Sequence, residues 1–174
     1  MPRAQSLSQL PDVPAQQGLP ATVRTIFTQR SNAVVPLHWI STAAAFSGYG
    51  GLASGDDLAE LIRRRCEAAG WMPESLPVSL VAQWVVSRSV VSLDSPWGPL
   101  FPLFQFDLPT ASVVDTMAPL LAELSPVFEG VELALWFVTP NHWLGGARPV
   151  TAMRHSLPIV LLAARADRFV AGGH

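Results

Sequence analysis

Glu132-Leu133-Ala134-Leu135-Trp136-Phe137, then Pro140-Asn141-His142-Trp143-Leu144-Gly145-Gly146, then Arg148-Pro149-Val150, reads as a helix, a tight turn and the opening of another helix. Leu133, Ala134, Trp136 and Phe137 recur at helical spacing and form one apolar face. Pro140 lacks a backbone N–H and closes that helix. Asn141 can bond its own backbone, Gly145 and Gly146 permit a reversal, and Pro149 suits the first turn of the next helix. Trp136 is expected to be buried between the last helix and the helix that carries Leu120.

Toward the C-terminus, Ser156 is expected to cap a last helix that turns Ile159, Leu162, Ala163, Ala166 and Phe169 inward and stops at Gly172-Gly173. Arg165 and Arg168, three apart, then lie one above the other on an outward face, with Asp167 as a neighbouring counter-charge. Upstream, Val113, Met117, Leu120, Leu121 and Leu124 form another helical stripe, which Pro119 should kink or restart. Between Arg88 and Phe106 the period changes. Two β-rich runs flank Asp94-Ser95-Pro96-Trp97-Gly98 and read as a hairpin, with Pro99 and Pro102 confining the second run to an edge.

Further upstream, an apolar stretch from Val34 to Phe46 reads as a helix ended by glycines. A second helix, capped by Asp56 or Asp57, carries Leu58, Leu61, Ile62, Cys66 and Ala69 on one face and stops at Gly70. A third runs from Pro77 to about Val86. The first twenty residues hold Pro2, Pro11, Pro14 and Pro20 among Gln, Ser and Ala, without an apolar period. The expected organisation is mainly α, with a short β-hairpin near 88–106: a flexible arm over 1–30, a helical region over 31–97 and a C-terminal domain over 98–174.

The chain is 49 % hydrophobic and 14 % charged, enough apolar material for a substantial core. Its net charge of −2 lacks the positive field of a general nucleic-acid binder, and all eleven basic residues are arginine. Cys66 is the single cysteine and reads as a small buried hydrophobe. The longest apolar run, Leu157 to Ala164, is far shorter than the roughly 20 residues of a spanning helix, which leads to a soluble cytoplasmic protein with no membrane contact.

Gly48-Tyr49-Gly50-Gly51-Leu52-Ala53 matches G-x-G-x-x-A, but that pattern binds a dinucleotide only between a strand and a helix N-terminus. An alanine-rich helical segment precedes it here, and Asp56 and Asp57 place negative charge where a pyrophosphate would sit. The histidines His38, His142, His155 and His174 have no metal-ligand spacing. Neither a cofactor, a metal nor a catalytic residue is expected. The segment Val86-Ser87-Arg88-Ser89-Val90-Val91-Ser92 resembles the opening of a recognition helix, so Arg63, Arg64, Ser87 and Arg88 are candidates for nucleic-acid contact. Its turn lacks the usual glycine and is one residue short, and Val90-Val91 suits a strand better.

Taken in order with Phe101-Pro102-Leu103-Phe104-Gln105-Phe106-Asp107, the segments from Glu132 to Val150 resemble the toxin-binding domain of the Xre/MbcA/ParS antitoxins. The matching features are a "P-x-[WF]-Q-F" entry (Pro102, Gln105, Phe106), a helix with Trp136, and the turn "P-N-x-x-L-x-G-x-x-P" (Pro140, Asn141, Leu144, Gly145, Gly146, Pro149). The likeness covers about 98–172; the usual helix-turn-helix is degenerate, and Leu157-Pro158-Ile159 stands where many members have a glycine. The resemblance implies a non-enzymatic antitoxin that covers the active site of a cognate toxin, commonly a RES-domain, NAD-consuming one. It also implies a homodimer, and a partner surface at Arg165, Arg168, Phe169 and His174. A DNA-binding regulator is the alternative.

Overall fold

Leu100 and Phe101 are adjacent in one strand and enter different cores. The computed structural model describes residues 36–173; the arm expected over 1–30 and His174 lie outside the described residues. Among the described residues, strands β1 (Leu52–Ser54), β2 (Leu93–Ser95) and β3 (Gly98–Pro102) form an antiparallel sheet in the order β1-β3-β2. Helices α2 (Gly55–Ala68) and α3 (Pro77–Val86) cover one face, burying Leu58, Ile62, Cys66 and Val81 with Phe101. The opposite face meets α1 (Leu37–Phe46), α4 (Met117–Leu124), α5 (Gly130–Val138), α6 (Pro149–Ala152) and α7 (Leu157–Ala171), around Phe46, Leu100, Leu120, Phe137 and Val160. The two-residue period of β3 is what divides the apolar side chains between these layers. The protein is thus mainly α with short antiparallel hairpins, as the periodicity indicates.

The hairpin within 88–106 is present, but β3 is its central strand and not an edge. Both prolines are accommodated by the shortness of their neighbours. Pro99 pairs with Asp94 of β2, beyond the end of β1, whereas Pro102 pairs with Leu52 of β1, beyond the start of β2. Each proline therefore has a strand on one side only. Beside Pro102, the chain around Val91 would lose its ladder partner. Gln105 replaces it: its side-chain amide accepts from the Val91 N–H at 2.7 Å and donates to the Val91 carbonyl at 2.9 Å. Gln105 is fully buried, so both bonds stand in apolar surroundings.

A second hairpin was not expected. β4 (Phe106–Asp107) pairs with β5 (Ser112–Val113), which takes Val113 out of the helical stripe read for it. α4 itself starts at Met117 and absorbs Pro119 in its first turn, where no hydrogen bond is lost. The cap of α2 also differs from expectation. Ser54, not Asp56 or Asp57, is the cap residue and accepts from the Asp57 N–H, while both aspartates sit in the first turn and favour the helix dipole. Residues 87–92 form no helix; α3 ends at Val86 and Arg88 takes a left-handed φ of 52°. The Gly48–Gly51 loop leaves α1 and enters strand β1, the reverse of the strand-to-helix order that dinucleotide binding needs. Gly50 has φ +94°, and a Cβ there would meet Leu103 Cβ at 3.1 Å.

Candidate partner-binding surface

Asn141 organises the turn between α5 and α6. Its side-chain oxygen accepts from the Trp143 N–H, its carbonyl accepts from Leu144 and Gly146, and its own N–H donates to the Ala147 carbonyl. Gly145 and Gly146 hold φ of +63° and +86°, and Pro149 opens α6. The residues read as turn scaffold therefore act as one.

The turn is fastened to α7 by a single carboxylate. Asp167 Oδ2 accepts from Trp136 Nε1 at 2.8 Å and from Asn141 Nδ2 at 2.6 Å, and Oδ1 accepts from Trp143 Nε1 at 2.8 Å. Asp167, expected as a counter-charge for its neighbouring arginines, instead gathers three neutral donors. Trp136 is only partly buried, which corrects the expectation for it; the fully buried aromatic of α5 is Phe137. The reason lies in the bond to Asp167, which draws the indole to the rim of the core. Outside it, Phe128, Val131, Leu135 and Trp136 line an apolar groove of about 510 Å³ that ends at Pro140 and Asn141. Trp143, 51 % exposed, shares Asp167 with Trp136 of that groove, and its ring packs on His142 at 4.4 Å between centroids.

Arg165 and Arg168 are not free outward charges. Glu123 of α4 lies 2.8 Å from Arg165 Nε and 2.6 Å from Arg168 Nη1. Arg165, hydrogen-bonded to Glu123, and the adjacent Arg168 charge hold the Glu123 carboxyl below its ordinary value of 4.5. The inward stripe read for α7 is also rotated. Val160, Ala163 and Ala164 are buried, and Ile159, Leu162 and Phe169 are exposed. Apolar residues occupy nearly the whole circumference of α7, so periodicity alone does not choose the buried face, and the Asp167 and Glu123 contacts do. Trp143 escaped the sequence reading because it stands at a position the turn pattern leaves variable, and the three donors of Asp167 lie 24 to 31 residues away in sequence.

The nucleic-acid candidates lie along α2 and just past the end of α3. Arg63 pairs with Glu60 and Glu67, and Arg64 pairs with Glu60, all along α2. These arginines hold the Glu60 carboxyl down at about 2. Ser87 bonds the Trp84 carbonyl and Ser89, at the end of α3. Among the described residues, no group of histidines, cysteines and carboxylates has the arrangement of a metal site, and no helix is long and apolar enough to cross a membrane. Comparisons with protein families, curated proteins and solved structures find no match.

Proposed function

We propose that this protein is a cytoplasmic, non-enzymatic antitoxin that covers the active site of a toxin, of the RES-domain, NAD-consuming kind implied by the resemblance. The observation that supports this reading is the apolar groove along α5, with exposed Trp143 tied through Asp167 to Trp136 of its lining. An exposed tryptophan whose rotamer is already held loses little entropy on binding, and tryptophan is enriched at interface hot spots. Asp167 supplies that preorganisation. The toxin's contact surface is the groove from Phe128 to Asn141 together with exposed Trp143. Arg165 and Arg168, expected from the sequence as partner contacts, also brace α7 through Glu123.

The test is co-expression with a RES-domain toxin encoded beside this chain, reading growth, cellular NAD and co-purification. The expected outcome is rescue by the wild type and its loss in a Trp143→Ala/Glu132→Arg variant that keeps its helical circular dichroism. Failure of the wild type to rescue or co-purify overturns the reading.

A further inference from the structure

A further cavity, of about 230 Å³, opens between the chain that follows α3 and the chain that leads into α5. Its apolar lining includes Val91, Leu121 and Leu133, all buried. Four polar side chains line it as well: Arg88, Ser125 and Glu129, which are exposed, and half-buried Ser92. None of the four is engaged elsewhere. Arg88 and Glu129 carry opposite charges in one cavity, yet among the described residues neither forms an ion pair, with the other or with any third side chain. The hydroxyls of Ser92 and Ser125 make no hydrogen bond there either. By contrast Arg63, Arg64, Arg165 and Arg168 are all paired. Glu129 is the cap residue of α5, but its side chain makes no bond to the first turn, which leaves the carboxylate to the cavity.

The backbone singles out Arg88 a second time. Its φ of 52° lies in the left-handed region, which disfavours any residue with a Cβ. Glycine or asparagine would make the same turn after α3 with less strain. What arginine adds at this position is its side chain, and that side chain lines the cavity.

We propose that this cavity binds a small zwitterion, an α-amino acid with an apolar side chain. The ligand's carboxylate pairs with the Arg88 guanidinium, whose planar fork suits it, and its ammonium pairs with Glu129. Ser92 and Ser125 take up remaining hydrogen bonds, and the ligand's side chain lies against Leu121 and Leu133. Because the two protein charges share a cavity without meeting, a molecule with both signs on neighbouring atoms bridges them. A simple anion or amine leaves one of them unpaired. The size agrees: the cavity falls below the roughly 300–1,000 Å³ of sites for drug-sized ligands and suits a single amino acid. A nucleotide is too large for it, and Glu129 repels a phosphate. A ligand this small, held by exposed charges, is expected to bind with a dissociation constant on the order of 0.1–1 mM.

The full chain is titrated by calorimetry with L-leucine, L-valine and L-phenylalanine, each beside its amide, which lacks the carboxylate, and its deaminated acid, which lacks the ammonium. Saturable binding of at least one amino acid is expected, with its amide and its acid at least about tenfold weaker. Arg88→Gly removes the guanidinium and relaxes the left-handed residue, so its Tm should hold or rise while affinity falls about tenfold or more; Arg88→Asn serves if the glycine variant does not fold. Glu129→Gln keeps the size of the side chain and should weaken binding to a similar degree. No saturable binding of any of the three amino acids up to ~10 mM overturns the site. So does undiminished binding by a folded Arg88 variant or by Glu129→Gln, or an amide or deaminated acid that binds as tightly as its parent. The titration needs no toxin, so it succeeds or fails apart from the function proposed above.

Discussion

Two buried polar side chains carry more of this fold than their number suggests. Gln105 does with one amide what a neighbouring strand would do for Val91. Gln105→Ala should cost about 2–4 kcal/mol, since two buried backbone groups lose their partners. Gln105→Glu should cost at least as much near neutral pH, because a carboxylate cannot donate to the Val91 carbonyl; chemical denaturation of the three proteins checks both. Asp167→Ala should remove about 2 kcal/mol and release three donors, one on exposed Trp143. A rise in Trp143 mobility, read by fluorescence anisotropy in a variant retaining that tryptophan alone, is the accompanying signature. Trp136→Ala, given its partial burial, should cost about 2 kcal/mol, below the ~3–5 expected of a core aromatic. The sequence identified Gln105 and Asn141 as motif members. It could not show what they bond, because those partners lie 14 and 26 residues away in sequence.

At the scale of the element, α7 is held by charges on one flank and a hydrogen-bonded carboxylate on the other, over a thin apolar contact made largely of alanines. Reversing Arg165 and Arg168 to glutamate would therefore gather three carboxylates between α4 and α7. The expected result is a clear fall in Tm, not the silent change that two outward arginines would give. The pH dependence has a definite sign. Glu123 titrates lower in the fold than unfolded, so its contribution is present above the ordinary value of 4.5 and is lost as pH falls through the lower folded value. The wild type should lose more Tm than Glu123→Gln between pH 5 and pH 3, in low salt, where partly exposed pairs are least screened. The end of α2, the start of α3 and the end of α7 were legible from Gly70, Pro77 and Gly172-Gly173, because glycine and proline act locally. Which side of α7 faces inward was not.

For the whole molecule, β3 couples the two cores by sending Leu100 to one and Phe101 to the other. Phe101→Ala should cost about 3–5 kcal/mol, yet unfolding should remain a single transition. Coincident near- and far-ultraviolet circular dichroism melts would show it; separate transitions would mean that α2 and α3 unfold on their own. The sheet also joins Leu52–Ser54 to residues beyond position 98, so the regions drawn at 31–97 and 98–174 share a strand pair. By itself, the sequence determined the helical class, most helix boundaries, the hairpin around Pro96 and the turn from Pro140 to Pro149, because proline, glycine, asparagine and the period of apolar residues act over a few positions. The tertiary structure alone decided that the proline-bearing β3 is central, that Glu123 engages both arginines of α7, that Asp167 ties three donors together, and that Ile159, Leu162 and Phe169 face solvent. Each of these depends on which distant segment arrives beside a residue, and a helix that is apolar nearly all round leaves that choice to its neighbours.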